Sequence, residues 1–157
     1  MDLKTLTITA ADLKDGRYIG TEDLAGFHGH LEIAALLGTV CFVSLNISGR
    51  IRALAGSGIK AGDGIKAGEG IEAGEGIKAG EGIKAGWGIK AGEGIKAGLT
   101  ISCGTVLSVG YRIFAGIAIF RKTVTDTERT ITCQRLASGD VAYGFLVERE
   151  ATIRDAK

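Results

Sequence analysis

Proline is missing from all 157 residues. Without it every backbone N–H can donate to a ladder, and no position is barred from the interior of a sheet. Histidine is nearly as scarce, with only His28 and His30. Zinc chemistry built on three histidines is thereby excluded by count. The two imidazoles share one side of a strand, a partial metal pair that no neighbouring cysteine or carboxylate completes. We expect surface or loop roles for both, with no metal and no cofactor. Cys41, Cys103 and Cys133 contain no CxxC motif and are odd in number. This predicts reduced, largely buried thiols in a cytoplasmic protein.

Neither sign of charge prevails. The formal net charge is +1, and between Ile59 and Gly98 six lysines balance six acids. Nucleic acid is therefore not expected as a partner, because phosphates are met by clustered cations. A membrane surface is disfavoured on the same ground. The most apolar run, Ala34 to Val43, is about ten residues and too short to span a bilayer. The opening "MDLKTLTITAADLKDG" has no apolar stretch ending in a cleavage site, so no secretory signal is expected.

Catalytic signatures are also lacking. "GSGIKAG" is not G-x-G-x-x-G, and no G-K-[ST] follows it. The acids of the repeat lack the D-x-D spacing of calcium sites. No rows of threonine mark an ice-binding face. No catalytic, cofactor-binding or metal residue is assigned.

What is present is glycine, 26 in all, arranged with a period. Ile59, Ile65, Ile71, Ile77, Ile83, Ile89, Ile95 and Ile101 recur every six residues. The phase extends forward through Leu107, Ile113 and Ile119, and backward through Ala53, Ile47 and Cys41. Two places after each isoleucine comes a small residue, Ala61 through Ala97, then Cys103, Val109 and Ala115. Six residues advance an α-helix by about 600°, which scatters the isoleucines around its axis. Two glycines per hexad would cost a helix about 2 kcal/mol relative to alanine. A strand uses the pattern readily: Ile and Ala share one face, and Lys takes the other. Gly-acid-Gly then offers a corner with two positions free to take positive φ.

One side and one corner per hexad resembles the hexapeptide-repeat β-helix, a solenoid of triangular coils. That resemblance implies about 18 residues per coil, with coils about 4.8 Å apart. The familiar left-handed acyltransferase pattern sets its small residue two places before the large aliphatic one; here it comes two places after. Handedness is therefore open, and a right-handed helix of the bactofilin type is an alternative. The tract is followed by Arg112-Ile113-Phe114-Ala115-Gly116. In this the second half of the chain is similar to uncharacterised bacterial and mobile-element proteins with runs of IKAG before RIFAG. The resemblance implies a common shape and brings no established activity.

The expected fold is thus all-β, a single-domain triangular β-helix with non-repetitive caps. Residues 1–40 would form an N-terminal cap and an irregular first coil, with a strand at Leu6 to Thr9 and a helical turn after it. Leu31 to Ile47 would point inward at odd positions. Residues 41–120 would be the core, a little over four coils, with regular hexads at 58–98. Residues 121–157 would form a C-terminal β cap, with a loop at Thr123 to Arg129 and strands at Thr130 to Arg135, Val141 to Glu148 and Ala151 to Arg154.

A coil of this length places Trp87 in an outward column with Glu69 and Thr105, and Tyr111 above Glu93. Lys60, Lys78 and Lys96 stack, as do Glu75 and Glu93, while Glu72 lies beneath Lys90. Phe114 and Phe120 have outward parity, unless the C-terminal cap covers them. Trp87, Tyr111, Phe114 and Phe120 are accordingly the candidate interaction residues. The expected function is a non-enzymatic structural or protein-interaction role, through a protein partner or self-association, with the chain a monomer or small closed oligomer. One alternative is a mobile-element inhibitor of a host or defence complex. Another, implied by the hexapeptide resemblance, is an acyltransferase with His28 or His30 as base.

Overall fold

Ile-Lys-Ala forms a three-residue strand throughout the tract, as in Ile65–Ala67 and Ile77–Ala79, with Ile and Ala buried and Lys exposed. In the computed structural model, which describes residues 3–149, these strands stack in parallel. Ile59 pairs with Ile77 and Ile77 with Ile95, a step of 18 residues. The same step joins Ile65, Ile83 and Ile101, and also Ile71, Ile89 and Leu107. Three strands complete one coil, and the coils form a β-solenoid of about six turns.

The first face contains Thr5–Ile8, His30–Ile33, Ile51–Ala53, Ile71–Ala73, Ile89–Ala91 and the start of Val106–Ala115. The second contains Gly38–Phe42, Ser57–Ala61, Ile77–Ala79, Ile95–Ala97 and the end of Val106–Ala115. The third runs from Leu45–Ile47 through Ile65–Ala67, Ile83–Ala85 and Ile101–Cys103 to Thr130–Cys133 and Phe145–Glu148. Arg135–Tyr143 lies parallel to Val106–Ala115 and extends both other faces. The strand expected at Ala151 to Arg154 lies outside the described residues. Among the described residues, no helix is long and apolar enough to cross a membrane.

The eight anchors from Ile59 to Ile101 are at most 1% exposed. Burial of each contributes about 1.5–3 kcal/mol. Corner N–H groups donate to the coil below, Gly80 N to Ala61 O at 3.1 Å and Glu81 N to Asp63 O at 3.2 Å. The backbone is thus satisfied along the axis as well as within each face.

The corner glycines have a different reason from the one expected. None of the regular hexads has a glycine with positive φ; those occur at Gly16, Gly29, Gly38, Gly56, Gly116, Gly139 and Gly144. Instead, from Gly68 onward the first glycine of each corner lies against the carbonyl of the coil below, whereas Gly62 has room for a Cβ. A Cβ on Gly80 would stand 2.0 Å from Gly62 O, and one on Gly92 would stand 2.1 Å from Gly74 O. Close stacking, rather than turn conformation, requires glycine there.

The phase also breaks at both ends. Ile51 pairs with Ile71 and Leu45 with Ile65, a step of 20 residues. Two additional residues enter the corner after Ala53, where Gly56 has φ 78°. Ser57 anchors this corner from a fully buried position: its hydroxyl donates to Ala34 O at 2.6 Å and accepts from Leu37 N at 3.0 Å. Ala53 and Ile47 consequently occupy the small-residue position. Cys41 does not point inward as expected, because Val40 and Phe42 take the core positions on that strand. The odd-position alternation from Leu31 to Ile47 fails at Ala35, Leu37 and Val43 for the same reason, Leu36 and Gly38 having reversed the parity with φ 62° and 70°.

Ile119 is the largest departure. It is 98% exposed, not a core residue. After Ala115 the chain leaves the lattice and returns at Thr130, so that Ile101 pairs with Ile131, 30 residues on. At the opposite end, Leu24 is buried, and Leu13, Tyr18 and Phe27 pack on the core. These cover the first turn, with the expected helical turn present as a 3-10 segment at Ala10–Asp12.

Candidate functional site

The outward middle residue of each strand forms a column, and the three columns differ. On the first face it runs Glu32, Arg52, Glu72, Lys90, Ser108, alternating in charge before the serine. On the second it runs Cys41, Lys60, Lys78, Lys96, Phe114, with Tyr143 above. On the third it runs Asn46, Lys66, Lys84, Ser102, Thr132. The Arg121–Glu128 and Arg129–Asp126 ion pairs and the His30–Glu69 contact lie elsewhere, and among the described residues no carboxylate is within 4.0 Å of Lys60, Lys78 or Lys96.

Corner columns separate the faces. Glu69, Trp87 and Thr105 stack between the third and first, joined by Trp87 N to Glu69 O and Thr105 N to Trp87 O. Glu75, Glu93 and Tyr111 stack between the first and second. Asp63, Glu81 and Leu99 stack between the second and third.

The four aromatic candidates are therefore divided. Trp87 is 58% exposed and borders a shallow recess of about 370 Å³ on the first face, beside Arg52, Glu72 and Lys90. Tyr111 is exposed on another corner. Phe114, half-buried, and Phe120, exposed, line one groove of about 690 Å³ on the second face. Lys60, Lys78, Lys96 and Ile119 also line that groove. The lysine column is legible from the coil length, but its junction with Ile119 and Phe120 is not. One signal was available: Arg121 falls two places after Ile119, where a buried small residue is required, so the lattice cannot continue there.

The histidines lie near the corner that leads into the first face. His28 Nδ1 is 3.2 Å from Ser48 Oγ. His30 Nδ1 accepts a hydrogen bond from Arg50 N at 3.0 Å and lies 3.2 Å from Glu69 Oε2. The lone pair that a general base requires is thus engaged by the backbone in His30. Among the described residues, no three His, Cys, Asp or Glu side chains converge as a metal site.

Cys103 and Cys133 are buried on the third face. Burial, and secondarily the neighbouring Cys133, pushes the Cys103 thiol up to about 11. Burial followed by Glu148 also raises Cys133. Both are protonated, poorly nucleophilic thiols at neutral pH. Cys41 is partly exposed at the foot of the lysine column.

Comparison of the chain with protein-family models, with curated proteins and with solved structures found no match.

Proposed function

We propose that this protein is a non-enzymatic interaction protein that presents side chains on a rigid β-solenoid. The observation that carries the reading is the set of large apolar groups left outside a complete core. Trp87, Tyr111, Ile119 and Phe120 are 58 to 98% exposed while every isoleucine anchor is buried. The lattice does not need these groups for its packing, and exposed aromatic and aliphatic groups on a stiff support favour protein contact. On this reading, the protein acts in the cytoplasm, without nucleic acid, as a monomer or small closed oligomer.

Affinity capture from a bacterial lysate with the full chain tests this reading. Recovery of a stoichiometric protein, lost on Trp87→Ala or Phe120→Ser while thermal unfolding is unchanged, is the expected result. Recovery of nothing, together with a concentration-independent monomer in light scattering, would overturn it.

A further inference from the structure

We propose that the groove on the second face binds an extended acidic segment of a protein partner, anchored by one bulky apolar side chain. This rests on the protein-interaction reading and supplies the chemistry of the partner.

Like charges stacked in register oppose folding by tenths of a kcal/mol per pair, roughly. The first face avoids this opposition. Its one Ile-Glu-Ala hexad puts Glu72 between Arg52 and Lys90. The third face has two lysines in register, followed by Ser102. Only the second face keeps three, Lys60, Lys78 and Lys96, with no acid in the column between them, and like every other lysine among the described residues none has a carboxylate within ion-pair distance. An unneutralised column is a preformed partner for carboxylates supplied from outside.

The apolar end of the groove is held in place. Gly116 N donates to Ala97 O at 3.1 Å, and Ala118 N donates to Gly98 O at 3.0 Å. These bonds fix the start of the excursion against the coil below, so Ile119 and Phe120 project from a tethered segment. The Arg121 guanidinium lies 5.9 Å from the centre of the Phe120 ring. The floor beside the lysines is formed by Ala61-Gly62, Ala79-Gly80 and Gly98. Because stacking forbids a Cβ on Gly80 and Gly98, and Ala61 and Ala79 are buried, no side chain of this floor blocks a main chain laid along it.

The flanks select the occupant. Glu75 and Glu93 line one adjoining corner, and Asp63 and Glu81 the other. A broad polyanion such as a nucleic-acid strand meets both acid columns, whereas a narrow acidic peptide meets only the lysines between them. Lys60 to Phe114 spans three coil steps, about 14 Å, or about four residues of extended chain. The recognised motif is therefore a short run of acids with its apolar residue placed against Phe114, Ile119 and Phe120.

The test uses fluorescence polarisation with two labelled peptides of about eight residues, each an aspartate run joined to a single phenylalanine, in opposite orders. We expect one order to bind the full chain. Lys78→Glu and the double change Ile119→Ser with Phe120→Ser should each weaken it at least about tenfold. An asparagine peptide with the same phenylalanine should bind as weakly. Lys78→Glu also reproduces the charge alternation of the first face, so its melting temperature should not fall, and loss of binding cannot be ascribed to unfolding. Failure of both peptides to bind, equal binding by Lys78→Glu, or equally tight binding of a single-stranded oligonucleotide would each overturn the proposal. A lysate partner that Lys78→Glu still captures and Trp87→Ala loses would overturn the groove while leaving the interaction reading intact.

Discussion

The first and second faces share one interior and differ in their exteriors. Both present Ile and Ala inward at the same coil step, and both turn into the next corner through a glycine that has no room for a Cβ. Outward, the first alternates in charge along Glu32, Arg52, Glu72 and Lys90, whereas the second accumulates Lys60, Lys78 and Lys96 beneath Phe114. In a solenoid the core and the surface are separately editable, because strand alternation assigns each residue to one or the other. Stability should therefore treat the two faces alike, and recognition should distinguish them.

The largest test attacks what they share. Gly80→Val leaves the second face and Gly92→Val leaves the first, each driving a Cβ into a carbonyl of the coil below. Each should destabilise by about 5 kcal/mol, measured by denaturant unfolding. A large disparity between the two would show that the faces are not equivalent inside. Next, Ile77→Ala and Ile89→Ala remove one anchor from each face and should each cost about 3 kcal/mol. Agreement of the pair within experimental error is the expected outcome.

The third face provides an alkaline test of the interior. The Cys103 thiol is raised from 9.0 to about 11 in the folded state, so the unfolded chain ionises first. Its contribution is complete below about pH 9 and is lost as pH rises through about 11, to a total of about 2–3 kcal/mol. Comparing the pH dependence of unfolding for the native chain and Cys103→Val isolates this loss, since valine does not ionise. Equal slopes would refute it.

The smallest effect separates the exteriors. Glu72→Lys should lower stability, and Lys78→Glu should raise it, each by about 0.5 kcal/mol at low salt and less at high salt. Opposite signs in thermal unfolding would sharpen the contrast between faces. The same sign would break it.

Much of this was legible in advance, for a simple reason. Ile59 to Ile101 repeat without interruption, so a constant coil length follows, and every column between them is determined by counting. Counting failed where coil length changed. Ala53 and Ile47 are apolar at either register, so the two residues added before Ser57 left no visible mark on the hydrophobic pattern. Ile119 sits in phase by number but lies on the excursion that ends at Thr130, and only Arg121 two places later conflicts with the lattice. The candidate site depended on these same irregularities, since the groove forms where the excursion passes beside a regular column.

By itself, the sequence determined the strand-and-corner rhythm, the buried isoleucine ladder and the identity of the stacked charges, because these follow from a local period and nearest-neighbour stacking. Tertiary structure alone decided that the corner glycines serve close approach instead of positive φ, and that Cys41 faces outward. It also decided that Phe114, Ile119 and Phe120 meet the lysines while Trp87 and Tyr111 stand apart. Those outcomes depend on the distance between successive coils and on where a departing segment returns, which are properties of the assembled stack and not of any one hexad.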